Sequence, residues 1–291
     1  MRLLFILLLG LLLIGTAQVS AQTQQELRSY QRNVIEVTSF VADRIASALT
    51  PEERAIQRSL RVRVPLDSSF TAQATQGRIT MSAGIGWIFQ QLAAAQIAEQ
   101  FLGFRGCSPE YLEYFAINVI ENSDRAAEGR SVNPVLSPGG FGRRYGGACR
   151  GFDDRTVFHP DIMNAYAAQM NASLTFLYLH ELAHHTLGHL ESGNRTLSIS
   201  REQEAAADRW AIRIMVESDL AAPAAALPMM RFLVLLGGET LEDERRSTHP
   251  LGMRRMRDSM RYAAELHRRR GDHELADETL DAMEAAEEFM P

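Results

Sequence analysis

Four of the chain's eight histidines fall within the fifteen residues FLYLHELAHHTLGHL, from Phe176 to Leu190. In His180-Glu181-Leu182-Ala183-His184, two imidazoles stand four residues apart and a carboxylate follows the first. On a helix, at about 100° per residue, His180 and His184 lie about 40° apart on one face. Two imidazoles so placed can share one tetrahedral Zn²⁺, each about 2.0–2.1 Å from it. Glu181 lies about 100° round the helix. That is too far to share the metal, but suits a general base acting on a water beside it. His185 and His189 are also four apart, on a different side and without a glutamate in the matching place. Gly188 is expected to end the helix before His189. These two read as groups that support the ligands or the structure. The plain alternative for the cluster is a set of hydrogen-bonded core histidines.

The third ligand decides the class. One group of HExxH enzymes uses a third histidine six residues past the second, after a glycine three past it. Those positions here are Leu190 and Leu187, which excludes that group. The other group takes a glutamate from the following helix. In REQEAAADRW, Glu204 and Asp208 are four apart and separated only by alanines, so a second helix can approach the first closely. Glu204 can complete the site, and Asp208 can hold a ligand imidazole from outside and fix its tautomer. Glu202 points about 200° from Glu204 and is the weaker choice. The alternative for Glu204 and Asp208 is a solvated helix face.

These residues need elements to position them. Helical periodicity covers Gln22 to about Leu49, with Tyr30, Val34, Val37, Val41 and Ile45 on one stripe. TPEER at Thr50 carries a cap and a proline at the first helical position. SLRVRVPL alternates as a short strand, and GRITMSAG from Gly77 is a second. A helix ending near Gly103 follows, then one capped by Ser108 with Pro109 after it. Residues 129–156, rich in Gly, Arg, Ser and Pro, read as a long loop. The HExxH helix begins near Asp161 or Ser173 and runs to Gly188. SREQEAAADRWAIRIMVES forms the next, Pro223 starts another over 223–236, and the tail holds two helices hinged at Gly271. The fold class is α+β, predominantly helical, with a small sheet beside the HExxH helix.

Arg2, the apolar run Leu3–Ile14 and Val19-Ser20-Ala21 form a secretory signal, with cleavage expected after Ala21. Residues 1–21 are then the signal peptide and 22–291 one domain: a helical part 22–128, the loop 129–156, a catalytic core 157–257 and a helical tail 258–291. The mature chain is expected to be exported, periplasmic or secreted, with no stable membrane span. An uncleaved N-terminal anchor is the alternative, although the run is short against the roughly 20 residues a span needs. Two cysteines in an exported chain suggest a Cys107–Cys149 disulfide, against two buried thiols. The net charge of −6 argues against nucleic acid as a partner. All 30 basic residues are arginine, which excludes lysine chemistry such as a Schiff base.

LHELAHHTLGH, then EAAAD, then STHPLGMRR, resembles the HtpX-like zinc peptidases, gluzincins that include the CAAX prenyl protease. The likeness rests on His180, Glu181, His184, Gly188-His189, Glu204, Ala207-Asp208, Thr248-His249-Pro250 and Arg254 or Arg255, and spans Leu174 to Arg257. GRITMSAG also resembles the strand that runs ahead of the catalytic helix in that family. A long insertion carrying both cysteines separates the two here. The resemblance implies a gluzincin-type core and one Zn²⁺ on His180, His184 and Glu204. It also implies Glu181 as base, and His249 near the open metal position, as oxyanion stabiliser or resting-state plug. Tyr178, His159 and Arg255 are lesser oxyanion candidates. The expected activity is a zinc metallo-endopeptidase on polypeptide substrates, with envelope protein quality control as setting and envelope proteins as partners. A zinc-dependent binding or chaperone protein of the same fold is the rival.

Overall fold

The computed structural model describes residues 24–128, 130, 133–191, 196–237 and 252–287. The fold is predominantly helical with one three-stranded sheet. Helix α1 covers residues 24–44 and passes into a 3-10 turn at Ile45–Ser47. Of the predicted stripe, Val34, Val41 and Ile45 are buried and Tyr30 and Val37 half-buried, while Thr38 is buried beside them. Thr50 opens α2 (Pro51–Ser59) with a reciprocal box: its hydroxyl accepts from Glu53 N, and Glu53 accepts from Thr50 N. Two orphan donors of the helix start are thereby satisfied. Glu53 also accepts from Trp210 Nε1 at 2.7 Å, tying α2 to the helix that carries Glu204 and Asp208.

The strands are β1 (Arg61–Arg63), β2 (Ala72–Thr75) and β3 (Arg78–Met81), in the order β1-β3-β2. β1 runs parallel to β3, and β2 antiparallel to it, with Thr75 opposite Arg78 and Ala72 opposite Met81. The sequence pattern predicts β1 and β3 but not β2. The GRITMSAG strand is therefore the centre of the sheet. Gln76-Gly77 closes the β2–β3 hairpin, with Gly77 at φ +71°, a conformation that favours glycine.

Helix α3 (Ala83–Leu102) is apolar nearly all round and lies in the core. α4 (Cys107–Ala127) begins one residue before the expected cap. Ser108 sits inside its first turn, its N–H bonded to Glu99 and its hydroxyl to Gln96. The 129–156 stretch is not simply a loop. It contains α5 (Pro138–Tyr145), capped by Ser137, and leads into a 3-10 turn at Asp154–Phe158. Cys107 and Cys149 form a disulfide.

α6 (Pro160–Thr186) is the longest element, started by His159 as cap and Pro160 at its first position. From Ala172 to Ala183 every residue is buried. Gly188, at φ +70°, turns the chain out of the helix as the sequence predicts. α7 (Leu197–Glu217) packs along α6, with Ala207 and Ala211 fully buried between them. A 3-10 turn at Pro223–Ala226 precedes α8 (Leu227–Gly237). α9 (Gly252–Arg270) and α10 (His273–Glu287) form the hairpin expected at Gly271. Among the described residues no helix is long and apolar enough to cross a membrane. The signal segment 1–21 lies outside the described residues.

Candidate metal centre and cleft

The last turns of α6 and the middle of α7 bring three donors together. Glu204 Oε2 lies 3.2 Å from His180 Nε2, and Glu204 Oε1 lies 3.4 Å from His184 Nε2. The two imidazole Nε2 atoms are 3.2 Å apart. Donors about 2.0–2.1 Å from one tetrahedral centre are spaced about 3.3–3.4 Å from each other. The triangle formed by these side chains therefore has the size that one small divalent ion requires. Two imidazole nitrogens and a carboxylate also suit such an ion chemically.

Asp208, one turn beyond Glu204, accepts from His180 Nδ1 at 2.9 Å. That bond commits Nδ1 as the protonated nitrogen and turns Nε2 toward the other donors. Asp208 also receives Arg255 Nε and Nη2, each at 2.8 Å, as a two-pronged pair. Asp208 is only 3% exposed. Burial alone would raise its pKa, but the Arg255 charge and the hydrogen bonds of Arg255 and His180 bring it down to about 2. Gly252 makes this reach possible, because a Cβ there would lie 2.4 Å from the Val234 Cα. The first turn of α9 is thus pressed onto α8 three residues before Arg255.

The imidazoles are driven apart electrostatically. Burial depresses His180, yet hydrogen bonds to Asp208 and Glu204 outweigh it and raise it to about 10. His184 is lowered to about 3 by burial and by the charge of His180. Near neutral pH the metal-free site therefore favours one imidazolium, His180, beside a neutral His184. Glu181 is 7% exposed, and burial raises its carboxyl above the usual range, against a backbone hydrogen bond from Ala74. Strand β2 thus touches the residue expected to act as base.

All these groups face one cavity of about 570 Å³. Its walls are the Phe70–Ala74 stretch, the α6 and α7 cluster, one side of α8 and the start of α9. His189 Nδ1 sits 3.1 Å from His184 Nδ1, and His185 Nε2 takes the β3 carbonyl of Arg78 at 3.2 Å. Glu202 is exposed and bonds Ser198. Two oxyanion candidates are not at the cleft. His159 caps the far end of α6, about 30 Å from His180. Tyr178 is buried, bonded to Gln57, and pushed up to about 12 by burial. Arg255 does line the cleft. His249 lies outside the described residues.

Sequence reasoning missed two walls. β2 carries alanines and a glutamine where a strand pattern wants branched residues, and only Gly77 marks the turn that follows it. α8 is readable as a helix, but nothing in its sequence says that Met230, Leu233 and Leu236 face the histidines.

No curated protein and no solved structure matches the chain. Residues 155–273 match the family model described as Peptidase U49, and not one described as HtpX-like. That stretch contains His180, Glu181, His184, Glu204, Asp208 and Arg255, so the side chains of the cluster lie in a region similar to a peptidase family, and the match supports a peptidase.

Proposed function

We propose that the chain is an exported zinc-dependent metallo-endopeptidase, with a site of the HtpX-like gluzincin kind. The observation that carries the reading is the His180–His184–Glu204 triangle, sized for one tetrahedral ion, with Glu181 on the wall of the same cavity. Zinc held there supplies a Lewis acid that polarises a peptide carbonyl and acidifies a water. Glu181 takes a proton from the attacking water as its oxygen bonds to the carbonyl carbon. The same carboxyl then hands that proton to the amine as the C–N bond breaks. Its raised pKa suits both halves of the task near neutral pH. Asp208 holds His180 in the tautomer the site needs, and Arg255 holds Asp208.

The substrate reading rests on β2. Among the described strands it pairs only with β3, and Ala72–Ala74 line the cavity. An extended polypeptide can add through its backbone to the outer edge of β2, beside the Ala74 N–H that bonds Glu181, with little demand on sequence. Export is supported by the N-terminal signal pattern and by the Cys107–Cys149 disulfide, a bond typical of oxidising compartments. Quality control of envelope proteins is the setting in which such a peptidase would work.

The test is metal content by mass spectrometry on mature protein purified without chelator, followed by casein cleavage. We expect about one zinc per chain, sharply reduced in His184→Ala and Glu204→Gln. Glu181→Gln should keep the zinc and lose about 10²–10⁴-fold in cleavage. A wild-type protein without zinc would return the histidines to core packing and end the enzyme reading.

A further inference from the structure

The three-stranded sheet has two unlike faces. Ile79 and Met81 of β3 point inward and are fully buried. Arg78 and Thr80 alternate with them and point outward. The register carries that outer face across all three strands. Thr75, Arg78 and Arg61 stand side by side as one row, and Gln73, Thr80 and Arg63 as the next. Resting on the peptidase reading, we propose that this outer face is an exosite, which captures acidic stretches of a polypeptide substrate while a neighbouring segment is cut in the cleft.

Charge supports it first. Neither row holds a carboxylate, and Arg61, Arg63 and Arg78 are all exposed. Among the described residues none of these guanidiniums makes an ion pair. Carboxylates outnumber basic side chains in the chain, 36 to 30, so a face of unpaired cations inverts the charge of the whole. Arg61 and Arg78 are also direct neighbours across the β1–β3 pair, and like charges so placed cost stability. An acidic partner turns that cost into attraction. Charges on an edge strand also keep sheets from pairing edge to edge, which accounts for Arg61 and Arg63 on β1. It does not account for Arg78, which lies on the central strand.

Position supports it second. Gln73 of the outer face lines the cavity, and Ala74 beside it bonds Glu181 through its backbone. The cleft therefore lies at the β2 edge of the sheet, and the arginines lie behind that edge. With strands about 4.8 Å apart, Arg78 stands about 5 Å from β2, and Arg61 and Arg63 about 10 Å. An extended chain covers about 3.3 Å per residue. A substrate leaving the cleft over β2 reaches the first guanidinium within about two residues and the others within about three. β2 itself is Ala-Gln-Ala-Thr, so no charged side chain stands between. Arginine forks pair with carboxylates through two hydrogen bonds. The face should then select for acidic charge and not for a particular sequence.

The experiment uses the full mature protein with zinc bound. Two fluorogenic peptides share one cleavable core and differ only in a short tail, glutamates or glutamines, joined through about three glycines. The tail is placed at each end of the core in turn. At low salt we expect the glutamate tail, at one end, to raise kcat/KM on the order of tenfold, through KM and not kcat. High salt should abolish the difference. Arg61→Gln with Arg78→Gln should bring the ratio toward one, and Arg63→Gln alone should lower it less. Zinc content confirms the fold of each variant. Equal kcat/KM for the two tails in wild type, or an undiminished ratio in the zinc-loaded variants, would overturn the exosite and leave the peptidase standing. Equal kcat/KM together with arginine-dependent sedimentation on phosphatidylglycerol vesicles would overturn it in favour of an anionic membrane surface. No cleavage of casein or of any peptide by zinc-loaded wild type would overturn both the exosite and the peptidase.

Discussion

At the α6–α7 corner, buried charge is held by hydrogen bonds: Asp208 alone takes His180 and both prongs of Arg255. The α4–α5 lobe is held by carbon and a covalent bond. There Tyr111, Tyr114, Phe115, Phe141 and Tyr145 form one ring cluster, with Tyr114 and Phe141 centroids 4.8 Å apart, beside Cys107–Cys149. A ring cluster stabilises without specifying a chemical state, since no ring has to gain or lose a proton. The corner does the reverse. Its attraction must repay the desolvation of several charges, and such a trade seldom yields much net stability. What it yields is a single arrangement of imidazole nitrogens. One region thus supplies stability and the other supplies geometry, and the two should be separable by mutation.

The largest effect is expected in the lobe. Cys107→Ala with Cys149→Ala opens a loop spanning a separation of 42 residues. The chain-entropy cost of that change is about 3–4 kcal/mol of unfolding free energy. Denaturant unfolding under non-reducing conditions measures it. Zinc affinity of the folded variant should not change. A parallel loss of zinc would mean that the lobe positions the corner, and the contrast would fail.

The middle-sized effect is expected at the corner. Asp208→Asn keeps the shape of the side chain but removes its charge and weakens its hold on the His180 tautomer. Outer partners of metal-bound histidines are typically worth 10–100-fold in metal affinity. Competition with a chelating dye should show a loss of that size, and Cys107→Ala with Cys149→Ala should show none. Equal affinity in Asp208→Asn and wild type would show that Asp208 serves packing alone.

The two regions also differ in how far they can be read without coordinates. His180, His184, Glu204 and Asp208 are legible because helical spacing turns sequence separation into direction: four residues is one turn. The pairing of the two helices is legible because only alanines separate Glu204 from Asp208. α5 was not legible, for a physical reason. Gly139 and Gly142 sit where a Cβ would strike Asp154 and the Cys149 carbonyl, at 2.6 and 2.1 Å. Tertiary crowding therefore demands glycines that local propensity reads as loop. β2 escaped for the opposite reason, since its small side chains leave room for the cleft and so erase the strand pattern. The apolar wall of α8 is a matter of which helix lies across from which. No periodicity encodes that.

The smallest effect, about tenfold per pH unit, tests the electrostatic half of the contrast. In the metal-free protein His180 is raised to about 10 by Asp208 and Glu204, against burial, while burial and the His180 charge lower His184 to about 3. A ligand nitrogen must be unprotonated, so each zinc bound below pH 10 expels the His180 proton and none from His184. The sign follows. Apparent zinc affinity should fall tenfold for each unit of falling pH across about pH 6 to 8, with a slope of one. Absent zinc, a raised imidazole stabilises the fold fully below its unfolded value of 6.5, and that contribution is lost as pH rises through about 10. On the proposed reading, zinc and proton would compete for one nitrogen. Chelator competition at several pH values, corrected for the chelator's own protons, gives the slope. A slope near two would mean that both imidazoles are protonated without metal and that the corner does not divide them. In Asp208→Asn the slope should flatten toward neutral pH as His180 loses its partner, while the disulfide variant should keep the wild-type slope.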